Sequence, residues 1–381
     1  MCEGEEGVKS VRVETGVETE TERPHPTKPR AMPILLKDLT SEQLHDRLVD
    51  VGVSLHQARQ IHARVVRCGQ LPATDRGIAA KTLQEVGRLT AIPNLTVIDK
   101  RVSPQDGFAK YLFRGDGPDP FEAVRIPLLH RPEDRKYVVC VSSQVGCAMG
   151  CEFCATGQIG FRRNLAAWEI VDQVIKIQAD SPHPVRGVVF MGMGEPMLNY
   201  DRVIQAAKIF SESCGMAIAG KAITISTVGV VPGIRRFTTE GHIYRLVVSL
   251  NSADPVRRRE LMPVEGAYPL TELVAALREY HEATGRRIVL AWTMMAGVNM
   301  RDEDAQMLAD LTRGLPIKLD LIDVNDSRGR FRPPSADELN AFRDALTAKL
   351  GVPVGRRYSG GRDIHAACGM LAGIGNANRG R

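Results

Sequence analysis

From Tyr137 onward, short apolar runs alternate with longer amphipathic stretches. The runs Tyr137–Val141, Val185–Phe190, Ala222–Ser226, Tyr244–Leu250, Ile288–Met294 and Ile317–Val324 are rich in β-branched residues and predict strands. Between most of them, apolar residues recur at helical spacing: Ala166–Ala179, Asp201–Ser213, Leu270–Ala283, Arg301–Arg313 and a shorter piece at Arg235–Glu240. Six strands joined by helical crossovers make a parallel α/β sheet, either open or curled into a partial (β/α)6 barrel. Both arrangements gather chemistry at the carboxyl ends of the strands.

The pattern before Tyr137 is different. Residues 1–33 are polar, rich in Glu, Thr and Pro, and read as a disordered tail. At Leu39–Leu44, Thr40 or Ser41 can cap a helix whose apolar periodicity continues to about Arg67. A second helical stretch covers Gly77–Arg88, so residues 34–92 are expected to form a small helical domain, a candidate for RNA contact. Residues 93–135 are β-rich, with runs at Leu95–Ile98, Phe108–Phe113 and Phe121–Ile126. The barrel is expected over 136–373, and 374–381 form a tail.

Composition narrows the class. The 381 residues are 43% hydrophobic and 25% charged, as in ordinary globular proteins. There is no uncharged apolar run long enough for a bilayer, and the N-terminus lacks the basic and apolar regions of a signal peptide. The expected location is the cytoplasm, without membrane attachment. Eight cysteines in a chain of this length do not make a disulfide scaffold. The net charge of +5 permits a polyanionic partner without requiring one.

The cysteines carry the chemistry. Cys147, Cys151 and Cys154 form CxxxCxxC directly after the first barrel strand. A cubane 4Fe–4S cluster usually takes four thiolates, so three would leave one iron open to a ligand with amino and carboxylate groups. S-adenosylmethionine has such groups and serves radical chemistry. The other readings are a zinc site or three unrelated thiols, but no second Cys or His pair follows at zinc spacing. Met191-Gly-Met-Gly-Glu-Pro196 follows the second strand. Its glycines allow backbone to approach a ligand, though a tight turn would use them equally well.

The stretches Cys140–Cys147, Cys151–Gly157, Gly160–Leu165, Met191–Pro196, Ser226–Pro232, Leu261–Pro263 and Ala366–Gly369 together resemble the RlmN/Cfr family of radical-SAM RNA methyltransferases. Ala58–Ile61 is similar to that family's helical N-terminal domain. The resemblance implies a radical-SAM barrel with one 4Fe–4S cluster held by Cys147, Cys151 and Cys154. It implies S-adenosylmethionine contacts at Gly194, Glu195, Ser226, Ser249, Leu250, Asn251 and Asn325. Cys368 matches the cysteine that carries a methyl, Cys140 its disulfide-forming partner, and Glu122 a proton acceptor. The implied reaction is methylation of adenine in ribosomal or transfer RNA, at carbon 2 or carbon 8. The implied partners are that RNA, an electron donor such as flavodoxin or ferredoxin, and a thiol reductant.

The chain departs from the family pattern in three places. Asn251 stands where histidine is usual, Ile322–Asp326 replaces a proline-rich stretch, and Arg357–Asp363 differs before the methylated cysteine. Arg356, Arg357 and Arg362 flank that cysteine and are either phosphate ligands or a solvated face. Cys68 and Cys214 match nothing in the pattern and are expected to be structural, and Cys2 to be exposed.

Overall fold

The computed structural model describes residues 32–128 and 135–373. The expectations for both tails and for Cys2 lie outside them, apart from Met32 and Pro33. The compact unit considered below begins at Ile34. Its opening elements are β1 (Ile34–Leu35), α1 (Ser41–Leu48), α2 (Leu55–Cys68), α3 (Ala80–Leu89) and β2 (Thr90–Ala91). Strands β3 (Thr96–Val102), β4 (Ala109–Arg114) and β5 (Phe121–Leu128) follow. The barrel region comprises β6 (Lys136–Cys140), β7 (Gln144–Gly146), α4 (Ala155–Gln158), β8 (Phe161–Asn164), α5 (Ala167–Ala179), β9 (Val185–Phe190), α6 (Tyr200–Ser211) and β10 (Ile223–Thr227). It continues with α7 (Val231–Thr239), β11 (Arg245–Ser249), α8 (Pro255–Leu261), α9 (Leu270–Thr284), β12 (Ile288–Met294), α10 (Asp302–Leu311), β13 (Ile317–Asp323), α11 (Ala336–Leu350) and β14 (Val354–Arg357).

The single helix expected from Thr40 to Arg67 is two helices. Thr40 caps α1 in a reciprocal capping box with Gln43. Gly52 then adopts a left-handed φ of 80°, and Ser54 caps α2 in the same way. Both helices pack with α3 around a separate apolar cluster that includes Leu44, Leu48, Ile61, Val65 and Val86. Lys37 fastens this region to α5. Its buried ammonium meets Asp172 at 2.6 Å and the Pro93 carbonyl at 2.9 Å. Burial pulls Lys37 below the usual lysine pKa, against the attraction of Asp172.

One large sheet has the order β14-β13-β12-β11-β10-β9-β6-β5-β4-β3. Strands β6 and β9 to β14 run parallel to their neighbours, and β5, β4 and β3 extend the sheet antiparallel from β6. The six expected parallel strands are present, joined by a seventh, β14. Among the described residues β14 and β3 do not pair, so the barrel is partial. The C-terminal loop bridges its ends: Asp106, in the β3–β4 turn, accepts the Gly361 amide at 2.8 Å and the Tyr358 hydroxyl at 3.0 Å.

Alternation within each strand sends one set of side chains to the helices and the other to the lumen. Val139, Leu246, Val248, Leu319 and Leu321 join the main core. Register aligns Cys140, Val189, Thr224 and Arg245 along one row of the opposite face.

Lys37→Met removes one partner of a fully buried ion pair. It should lower unfolding free energy by about 3–5 kcal/mol, because Asp172 is left buried without its counter-charge. Urea denaturation of the whole protein measures this; a loss within error of zero contradicts the fastening role.

Candidate active site

The cysteine loop is built on a small antiparallel ribbon, β7 with β8. Gly146 has a φ of +72°, and a Cβ there would come 1.8 Å from the Gly160 carbonyl oxygen, so no larger residue fits. The next amide, Cys147 N–H, donates to that carbonyl at 3.1 Å. The amide of Glu152 donates to the Leu261 carbonyl at 2.9 Å. That bond joins the Leu261–Pro263 stretch to the cysteine motif. Leu261, Met262, Val264, Met295 and Val324 form an apolar shell around buried Cys151.

Cys147, Cys151 and Cys154 all line one cavity of ≈ 160 Å³. Burial pushes the Cys147 thiol up to about 12 and Cys151 well above its ordinary value. Thiols in such a setting ionise when a cation compensates them. Three soft sulfur donors suit iron–sulfur or zinc chemistry. Spacing separates the two. Among the described residues, the one His/Cys/Asp/Glu triad whose ligand atoms lie within 4.8 Å of one another is His62, Glu212 and Cys214. The loop cysteines do not form such a compact triad, and no second Cys or His pair at zinc spacing accompanies them.

The carboxyl ends of successive strands supply the facing wall. Gly194 and Glu195 after β9, Ser226 on β10, Ser249 and Asn251 at β11, and Asn325 after β13 line the same cavity. Gly194 has a φ of +101°, and a Cβ would meet Gln144 backbone at 2.8 Å. Its glycine thus serves close loop packing as well as ligand access. The buried Glu195 carboxylate accepts the amides of Met197 at 3.0 Å and Val228 at 2.9 Å. Burial raises its pKa to about 7. Asn251 sits at φ 61°, a conformation asparagine tolerates. Its Oδ1 accepts Thr293 N–H at 2.7 Å. Asn325 donates from Nδ2 to the Cys368 carbonyl at 3.3 Å, while its buried Oδ1 has no partner. An orphaned acceptor on this wall fits the ammonium of an amino-acid ligand. Leu250 does not line the cavity; its carbonyl receives Ser252 N–H at 2.8 Å and Arg258 Nε at 3.3 Å.

Cys140 and Cys368 meet across a second, larger cavity of ≈ 790 Å³ that both line. It shares Cys154, Thr156, Met191, Gly192, Cys368 and Gly369 with the first, so the two form one continuous space. Both cysteines are free thiols; Cys140 is buried and Cys368 exposed. Burial, then the neighbouring Cys368, pushes Cys140 up to about 12.

Cys368 is held by its backbone. Ser359 Oγ accepts its amide at 3.1 Å, the Ala155 amide donates to Gly369 O at 2.7 Å, and Thr156 Oγ1 donates to Leu371 O at 2.6 Å. Glu122 is part of the same anchoring. It is buried, meets Lys110 at 2.9 Å, and accepts the amides of Ala372 at 2.8 Å and Gly373 at 3.1 Å. It lines neither cavity. Arg356 and Arg362 pair with Asp323, and Arg357 Nη1 reaches Met191 Sδ at 3.0 Å. Cys68 is exposed on α2, against the structural expectation, because it ends the helix facing outward.

Sequence reasoning missed Arg258. Fully buried, it holds Glu265 at 2.5 Å and the carbonyls of Val228 and Leu250 at 2.8 and 3.3 Å. It thereby ties together the loops after β10 and β11. The signal available was its place three residues before the Leu261–Pro263 motif. Ser359 and Thr156 gave none: Ser359 Oγ accepts from the Cys368 amide and Asn325 Nδ2, and Thr156 donates to the Leu371 carbonyl, all partners set by the folded chain.

Comparison with known proteins is informative at this point. The Radical SAM superfamily model matches residues 141–310. The Myxococcus xanthus (strain DK1622) protein named "Probable RNA methyltransferase" is 47% identical over 341 residues, covering 88% of this chain and 94% of its own. The "Dual-specificity RNA methyltransferase RlmN" of Syntrophobacter fumaroxidans is 39% identical, covering 89% of this chain and 98% of its own. A crystal structure of a radical SAM methyltransferase from Sphaerobacter thermophilus superposes with a TM-score of 0.80 at 37% identity, covering 90% of this chain and all of that one.

Burial should separate the two non-ligand thiols in reactivity. Iodoacetamide at about pH 8, near the usual thiol pKa, should label Cys368 and leave Cys140 unmodified. Cys140 should react only as pH rises toward its raised value of about 12. Peptide mass spectrometry reads both sites, and equal labelling at pH 8 contradicts this placement.

Proposed function

The chain belongs to the RlmN family of radical-SAM RNA methyltransferases, and we propose that it methylates carbon 2 of an adenine in ribosomal or transfer RNA. Family membership brings a 4Fe–4S cluster and S-adenosylmethionine as cofactors. The observation that carries the reading is the meeting of Cys140 and Cys368 at one cavity continuous with the cysteine loop. Neither thiol belongs to the three-cysteine motif, and RNA binding alone would require neither.

An adenine C2 is electron-poor and cannot attack a methyl sulfonium, whereas a thiolate can. Cys368, exposed at the cavity wall, would accept the methyl first. When bound, the cluster and a second S-adenosylmethionine supply one electron and a hydrogen-abstracting radical. Cys147, Cys151 and Cys154 would hold the cluster, with Asn325, Ser226, Ser249 and Asn251 on the facing wall for the amino-acid and nucleoside parts. Arg258 would keep that wall in place through its two carbonyls. The methyl on Cys368 gives up a hydrogen atom, and its carbon bonds to the ring. One electron and the ring proton leave. Cys140 then attacks Cys368 Sγ and breaks the sulfur–carbon bond, and the freed carbon takes a proton to become the product methyl. The resulting disulfide is reduced by an external thiol. A flavodoxin or ferredoxin would supply the electron, in keeping with a cytoplasmic location. Among the described residues no helix is long and apolar enough to cross a membrane.

Glu122 carries the proton-acceptor assignment by resemblance, and its contacts give it a holding task as well. Because it grips the amides of Ala372 and Gly373, Glu122→Gln should lower methylation of Cys368 itself, not turnover alone. Full methyl-Cys368 with blocked turnover would return Glu122 to a purely proton-accepting role.

Cys140→Ala should still acquire the methyl on Cys368, then stall with RNA joined through a methylene bridge. A nuclease-sensitive band shift on a denaturing gel reads the adduct, and Cys140→Ala/Cys368→Ala should not shift. Normal turnover by Cys140→Ala contradicts the mechanism. Nucleoside mass spectrometry of RNA from cells with and without the protein should show 2-methyladenosine; 8-methyladenosine would move the reaction to the other carbon.

A further inference from the structure

The larger cavity opens at the amino ends of the strands, away from the cysteine loop, and its wall there is basic. Arg186 on β9, Lys221 in the turn entering β10 and Arg245 on β11 line it and are exposed. Arg287, also exposed and one residue before β12, lines an adjoining depression of ≈ 450 Å³ together with Lys221 and Arg245. Thus four consecutive strands each begin beside a cation. Within the described residues none of these four forms an ion pair or a side-chain hydrogen bond. Asp320 is the one acid among the described residues lining either space, and Lys318 occupies it at 2.7 Å.

Like charges around one mouth repel one another and do not stabilise the fold. Several other surface cations are neutralised: Arg235 pairs with Glu279, Arg236 with Asp201 and Glu240, and Arg332 with Glu338. Exposed cations without an ion pair also occur singly, such as Arg47, Arg59 and Arg343, but here four stand around adjoining openings, one of which leads to the thiols. Arg245 stands on the same lumen-facing row as Thr224, Val189 and Cys140. It lies three strand spacings from Cys140, roughly 14 Å along the wall. The target base has to leave its stack to reach Cys368, and the phosphates on either side of it then stay outside, where cations can hold them.

We propose that this mouth is the entry port for the extruded nucleotide, with Arg186, Lys221, Arg245 and Arg287 holding the flanking phosphodiester backbone. The proposal rests on the RNA-methylating reading and adds which end of the barrel the RNA uses. An acidic electron-transfer protein is the other polyanion such a patch could receive. The cavity behind the port is lined by Cys140 and Cys368 and, of the three loop cysteines, by Cys154 alone, so the geometry favours RNA.

The test uses the anaerobically prepared holoenzyme and a variant carrying Arg186→Gln, Lys221→Gln and Arg245→Gln. Methylation of Cys368 needs no RNA and reports an intact site. The variant should methylate Cys368 as wild type does while binding substrate RNA at least tenfold more weakly at about 0.1 M salt. The slope of log affinity against log salt should fall by about two to three, as expected for as many lost phosphate contacts. Arg245→Lys, which keeps the charge, should retain the wild-type slope. Unchanged RNA affinity and slope in the triple variant overturns the proposal. So does a defect seen with a flavodoxin donor and absent with dithionite, which would make the patch an electron-donor interface. If the wild-type protein binds and methylates no RNA, the functional reading itself fails, and that result is distinct from either.

Discussion

The site depends on the closure of the C-terminal loop onto the cysteine loop. Two hydrogen bonds, Ala155 N–H to Gly369 O and Thr156 Oγ1 to Leu371 O, join segments more than two hundred residues apart in sequence. They seat Cys368 beside the three-cysteine cavity, and almost everything else in the loop secures that contact. Asn325 and Ser359 hold the two faces of the Cys368 peptide, Asp106 holds Gly361, and Glu122 holds Ala372 and Gly373. These are largely bonds to backbone, so they fix where the cysteine stands and leave its thiol exposed for chemistry. Net contributions near 1 kcal/mol each make the loop positioned yet able to open.

Strand alternation then divides the lumen into stages. Along β11 the inward residues run Arg245, Val247, Ser249; along β13 they run Lys318, Asp320, Ile322. Charge lies at the amino ends, apolar wall in the middle, and polar ligand contacts at the carboxyl ends. A parallel sheet lets such a gradient add up across strands, because every strand presents the same end to the same side. Val247, Ala291 and Ile322 form a buried apolar patch within the lumen. That patch separates the cationic mouth from the ligand wall, as a site that must exclude water around reactive carbon requires.

CxxxCxxC and the strand–helix alternation were legible from covalent spacing, because each depends on local pattern. Cys140 and Cys368 were singled out only by the family resemblance, since a lone cysteine carries no pattern of its own. What was not readable depends on pairing. β14, Val-Gly-Arg-Arg, has no apolar run and becomes a strand only because β13 offers an edge. α11 carries its capping box at Ser335 and Glu338, a signal passed over in a loop-like context. Glu122 reads as a surface carboxylate until β4 supplies Lys110 and the distant C-terminus supplies two amides. Arg258 is invisible for the same reason: its partners are carbonyls on two other loops. The basic mouth is spread over residues about a hundred positions apart and exists only once register is known.

Burial of Cys140 bears on the order of the proposed reaction. Burial pushes its thiol up to about 12, so near neutrality it stands protonated. Thiol–disulfide exchange proceeds through the thiolate, so Cys140 is a slow nucleophile until a proton acceptor is near. Arg357, which opposes the rise in Cys140, reaches Met191 on the shared wall. The resolving step then needs a proton acceptor near Cys140, and the adduct's own carbon, which takes up a proton as the sulfur–carbon bond breaks, can receive it. Burial therefore makes the thiol slow by itself and, in the proposed reaction, coupled to product formation, as a resolving cysteine beside an exposed one proposed to carry the methyl requires.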